Sequence, residues 1–136
     1  MSTVNLIEYE NADSKVREIY DDIMATRQID WINNFWKALA VQPDLLQNTW
    51  KSVKKIMQPG KLDSLTKEMI YLAVSTTNGC DYCINTHTSA ARKQGMTDSM
   101  LSELLAVVGL ANQNNSLADG LQIETDPEYV NGGRKN

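Results

Sequence analysis

The sequence predicts an all-α fold, a helical bundle of about six helices. Three observations carry this. Apolar residues recur at three-and-four spacing along most of the 136 residues. Residues suited to helix starts and stops fall at the ends of those runs. No stretch alternates with a hairpin turn beside it, and the β-branched residues are scattered.

The elements follow in order. Asp13 is a plausible N-cap, followed by Val16, Ile19, Tyr20 and Ile23 on one face. The aromatic-rich "DWINNFWKALAV" stops before Pro43, which suits the first turn of a new helix carrying Leu46, Thr49, Trp50, Val53 and Met57. "QPGKLDS" breaks it. Asp63 or Ser64 caps the next helix, which runs through Leu65, Met69, Leu72, Ala73 and Thr76 to the stop at Asn78-Gly79. A helix from about Cys80 ends at Gly95. Thr97 then caps a last long helix bearing Leu101, Leu104, Leu105 and Val108, predicted to end near Gly120. The tail from 122 to 136 is polar and Gly-rich, expected to be loose or ordered by a partner.

This length suits one domain, residues 1–136, with its core at about 43–121. A net charge of −4 and the lack of a basic, aromatic-interleaved run argue against nucleic acid. No apolar run reaches the roughly 20 residues of a membrane span. The N-terminus "MSTVNLIEYENAD" lacks the pattern of a signal peptide. The expectation is a cytoplasmic protein, in which a Cys pair serves catalysis or metal binding more often than structural stapling.

Both cysteines and the single histidine lie between positions 80 and 87. Cys80, Cys83 and His87 are separated by three, four and seven residues, so a helix lines them up on one stripe with Ile84 and Ala91. Cys80 falls at a helix start, where free N–H groups favour a thiolate. His87 can accept a thiol proton or, once charged, stabilise a thiolate beside it. Structural readings compete: a buried Cys is often a small hydrophobe, and a lone His is often a satisfied core residue. Zinc is another rival, but only three candidate ligands occur here and no second Cys pair follows. Haem attachment needs His directly after the second Cys, where Ile84 stands. A redox dithiol is the leading reading.

A thiol that meets an oxidant needs proton traffic, and a carboxylate would orient the His that handles it. Glu68 lies on the preceding helix, and the short "TTNG" turn makes the two helices antiparallel neighbours. Folding back at Asn78-Gly79 brings Glu68 near the level of His87. The competing reading is a solvated first-turn carboxylate favoured by the helix dipole. Tyr82 and Asn85 either join the site or face water.

The segment "EMIYLAVSTTNGCDYCINTHTSAARKQGM" resembles the AhpD-like alkyl hydroperoxidases of the carboxymuconolactone decarboxylase superfamily. Their signature sets a Glu twelve positions ahead of Cys-x-x-Cys-x-x-x-His, matched here by Glu68, Cys80, Cys83 and His87. "ARKQGMTDSMLSELL", "NNSLADGL" and "QPDLLQNTWKSVKKIM" also look like the family, so the likeness covers roughly Pro43 to Leu121. The resemblance implies an all-helical fold, trimers or hexamers, and thiol-dependent reduction of hydroperoxides. It implies that Cys83 attacks the peroxide, that Cys80 resolves the sulfenic acid to a disulfide, and that Glu68 and His87 relay the proton. No cofactor and no metal is implied; the expected partners are a hydroperoxide and a thiol or dithiol reductant protein. Some relatives carry a further His between the cysteines, where this chain has Asp81 and Tyr82, and an acid beside Cys80 disfavours a thiolate there. Two other functions stand beside the peroxidase: a thiol–disulfide carrier or redox sensor, and a lactone decarboxylase, whose branch is typically not built on a Cys pair. The three Trp and one Phe between Trp31 and Trp50 point either to a subunit interface or to the core.

Overall fold

The structure, a computed structural model, describes residues 1–130. They are all-α: a 3-10 turn at Tyr9–Asn11, then α1 (Ser14–Arg27), α2 (Asn34–Leu39), α3 (Pro43–Met57), α4 (Ser64–Asn78), α5 (Asp81–Lys93), α6 (Asp98–Gly120) and α7 (Pro127–Val130). The predicted caps are in place. Asp13 accepts from the Val16 N–H, Asp63 from the Thr66 N–H and Thr97 from the Met100 N–H. Pro43 occupies the first turn of α3, where its missing N–H costs nothing. The tail holds the short exposed helix α7, and its last residues, 131–136, lie outside the described residues.

The chain divides into two compact units, Met1–Gln58 and Pro59–Asn136. In the first, α1 and α2 both pack on α3. Its core joins Val16, Ile19, Tyr20 and Ile23 of α1 to Trp36, Leu46 and Trp50. Trp36 and Trp50 meet edge to face with ring centroids 5.5 Å apart, a favoured aromatic geometry. The Trp50 indole N–H donates to Asp22, which also accepts from Lys54. The lysine first, and then the indole, hold the Asp22 carboxyl below its usual range. The aromatic cluster therefore splits: Trp36 and Trp50 are core, whereas Trp31 and Phe35 are exposed.

Tyr20 is fully buried, and its hydroxyl donates to the Ile7 carbonyl at 2.8 Å. Burial, aided by the charge of Glu8, pushes its phenol up from 10.0 to about 12. Because the folded pKa is the higher one, this stabilisation is whole below about pH 10 and is lost as pH rises through about 12. All three Trp lie in the first unit, so their fluorescence reports on that unit. In an alkaline titration, wild type should lose native fluorescence across this window, and Tyr20→Phe at higher pH. We propose that the two units unfold together as one domain, 1–136. Helix circular dichroism falling in step with fluorescence supports this, and two separate transitions refute it.

In the second unit α4 packs against α5 and α6. The core is small: Leu72, Ala91, Met96, Leu104 and Val108, flanked by Leu65, Met69, Ala73, Ile84, Met100 and Leu101. Leu105, predicted among the apolar positions of α6, is exposed. From Gly109 onward α6 is exposed on every side, and it carries no charge between Glu103 and Asp119.

Candidate active site at the α4–α5 junction

The site begins with a turn. Gly79 ends α4 in the left-handed conformation, φ 67°, where a Cβ is strained. Its N–H reaches the Thr76 carbonyl, and the Cys80 N–H returns to the Ser75 carbonyl at 3.0 Å. This pairing satisfies the Ser75 and Thr76 carbonyls in the last turn of α4 and reverses the chain in two residues. The helix predicted from about Cys80 starts at Asp81, with Cys80 as its N-cap. The sulfur at that place does what the oxygen of Ser or Asp does elsewhere: Cys80 Sγ accepts the Cys83 N–H at 3.2 Å.

Cys80 and Cys83 are joined by a disulfide, with their Cα atoms 5.3 Å apart. That spacing lies within the range a disulfide requires, so the backbone here suits the oxidised pair. Both residues are half-buried. His87 follows Cys83 by four residues on the same helix, one turn further on. That spacing puts His87 and Cys83 on one face of α5.

Glu68 comes from α4. Its Oε2 lies 2.6 Å from His87 Nδ1, and both side chains are largely shielded, at 16% and 21% exposure. Antiparallel packing of α4 on α5 produces this contact across nineteen residues of sequence. An ionised carboxylate can only accept, so Nδ1 carries the proton. In the neutral ring Nε2 is then the basic nitrogen, and when the ring is charged the carboxylate holds its partner ion. The four predicted residues thus lie on two packed helices, the acid bonded to the imidazole and the two sulfurs bonded to each other.

The structure adds one residue that sequence reasoning missed. The Tyr71 ring stacks on the His87 imidazole with centroids 3.6 Å apart and planes inclined by 20°. The signal was available: Tyr71 is three residues beyond Glu68, hence on the same face of α4. Asn85 turns away, its amide donating to the Asp81 carbonyl at 2.9 Å, and Tyr82 is exposed. Among the described residues no group of three or more His, Cys, Asp or Glu side chains is arranged to hold a metal ion. No helix of the described chain is long and apolar enough to cross a membrane.

Comparison with known proteins bears on this geometry. The model of the carboxymuconolactone decarboxylase family matches residues 43–124. An uncharacterized protein of Cupriavidus necator is 35% identical over 77 residues, 56% of this chain and 68% of that protein. The alkyl hydroperoxide reductase AhpD of Solibacter usitatus is 34% identical over 65 residues, which cover 48% of this chain and 35% of the relative. The chain thus spans about a third of that relative's length. Among solved structures, the alkylhydroperoxidase AhpD core of Rhodospirillum rubrum superposes with a TM-score of 0.87 at 46% identity, covering 96% of this chain and 98% of that one.

Proposed function

The chain belongs to the carboxymuconolactone decarboxylase family, of the AhpD-like kind, and we propose that it is a thiol-dependent peroxidase reducing hydroperoxides through the Cys80–Cys83 dithiol. The observation that carries this reading is the Glu68–His87 bond at 2.6 Å on the helix of the cysteine pair. A structural disulfide has no use for a carboxylate-bonded imidazole one turn away. A thiol that must lose a proton and then see one delivered does.

The cycle begins with the reduced pair. His87 Nε2 takes the Cys83 thiol proton, and Glu68 holds the imidazolium that results. The Cys83 thiolate attacks one peroxide oxygen; the S–O bond forms, the O–O bond breaks, and the departing oxygen receives the proton from His87. Products are an alcohol and a sulfenic acid on Cys83. The Cys80 sulfur then attacks Cys83 Sγ, forming the disulfide and releasing water. A thiol or dithiol reductant protein reopens that bond. The cap hydrogen bond from the Cys83 N–H supports negative charge on Cys80, which makes Cys80 the better leaving group in that exchange. Cytoplasmic residence, where such reductants operate, belongs to the same proposal.

The proposal extends to assembly as a homo-trimer or homo-hexamer. Ile70 and Val74 on α4, and Leu105, Val107, Leu110 and Leu117 on α6, are all exposed, more apolar surface than the small core of the second unit explains.

Stopped-flow reaction of the reduced protein with several hydroperoxides, followed by mass mapping of the oxidised cysteines, tests the proposal. The expected result is rapid consumption of peroxide ending in a Cys80–Cys83 disulfide. Fast exchange with a protein disulfide but no reaction with peroxide would refute it in favour of a thiol–disulfide carrier.

A further inference from the structure

A single hydrogen bond leaves an imidazole free to swing about the axis of that bond. The Nδ1 contact to Glu68 alone therefore does not fix the plane of the His87 ring. Tyr71 supplies the missing constraint. Its ring lies flat against the imidazole, 3.6 Å away between centroids. Glu68 and Tyr71 stand three residues apart on α4, so one helix grips the imidazole twice, at an edge atom and on a face. Tyr71 is 40% exposed and stands outside the apolar core of its unit. Core packing therefore does not account for where its ring lies. An aromatic face is also favourable ground for a cation, and the imidazole becomes one whenever it takes the thiol proton.

We propose that Tyr71 is a positioning residue: stacked on His87, it holds the imidazole in the plane that keeps Nδ1–H on Glu68 and Nε2 available to the Cys83 thiol. This rests on the peroxidase reading for its purpose, while the stacking and its effect on Cys83 are testable apart from peroxide. The aromatic face does the holding, and the phenol hydroxyl takes no part.

The test uses the full chain in a Cys80→Ser background, where Cys83 is the only thiol. Tyr71 is then changed to Leu or to Phe. Two rates are read: alkylation of Cys83 by iodoacetamide, and single-turnover reaction with a hydroperoxide. A third readout is the proton NMR spectrum of the imidazole, unambiguous because His87 is the only histidine. Tyr71→Leu is expected to lose the upfield ring-current displacement of the His87 ring protons and to slow both rates about three- to tenfold. Tyr71→Phe should keep the displacement and both rates. Unchanged rates in Tyr71→Leu overturn the proposal, as does a Tyr71→Phe variant as slow as Tyr71→Leu. If the parent with Tyr71 ignores hydroperoxide, the peroxidase reading falls, and alkylation with NMR still decides for or against Tyr71. Should Tyr71→Leu fail to fold, Tyr71→Met, a good helix former without a ring, is judged by the same three readouts.

Discussion

Cys83→Ser is expected to abolish hydroperoxide turnover, with a loss on the order of a thousandfold or more, the scale of removing a nucleophile. The hydroxyl of serine keeps the size of the thiol, and Cys83 is only half-buried, so the fold should persist. Cys80→Ser gives the complementary result. Cys83 still attacks, but nothing closes the disulfide, and a sulfenic acid accumulates that a nucleophilic probe captures. Mass spectrometry after one equivalent of peroxide separates the two variants: no added oxygen in the first, one on Cys83 in the second. A Cys83→Ser protein that consumes peroxide like wild type would end the mechanism. An oxygen captured on Cys80 in the Cys83→Ser protein would instead reverse the roles of the two sulfurs.

Glu68→Gln should lower the rate with hydroperoxide by about a hundredfold or more, although the substitution changes one atom. The reason is the direction of the hydrogen bond. A carboxylate 2.6 Å from His87 Nδ1 requires the proton on that nitrogen. An amide can donate to Nδ1 instead, which moves the ring proton to Nε2, the nitrogen that must accept from the thiol. His87→Ala sets the floor for the pair. Glu68→Gln should approach that floor, and the double variant should be no worse than His87→Ala alone. Stopped-flow rates for the three proteins decide the matter; a Glu68→Gln rate equal to wild type would show that the carboxylate serves only packing.

Much of this architecture is legible in local chemistry. Asp13, Asp63 and Thr97 are capping residues because their oxygens reach a free N–H three residues on, whatever the tertiary setting. Pro43 and Gly79 mark a start and a stop for equally local reasons. The spacing of Cys80, Cys83 and His87 needs only the helical period. Other features depend on what lies across the helix. Glu68 by itself reads as a solvated first-turn acid, and only the packing of α4 on α5 joins it to His87. Tyr71 shares a face of α4 with Glu68 by its spacing, but that the His87 ring lies against it is set by the packing of the two helices. The end of α1 was hidden because Gln28, not glycine, takes the left-handed position there, φ 54°. Trp31 and Trp36 are the same residue type five positions apart, yet one is exposed and the other is core, a division that composition cannot make.

The dual employment of Cys80 has a consequence for how the molecule would cycle. Its sulfur both tethers the first turn of α5 and takes part in the reversible bond. Under the proposed cycle, making or breaking that bond acts on the first turn of α5, while Ala91, further along the helix, belongs to the buried core. The imidazole sits one turn beyond Cys83, bonded to an acid of the neighbouring helix. The proposed exchange thus starts at the helix entrance, where Cys80 is both cap and partner.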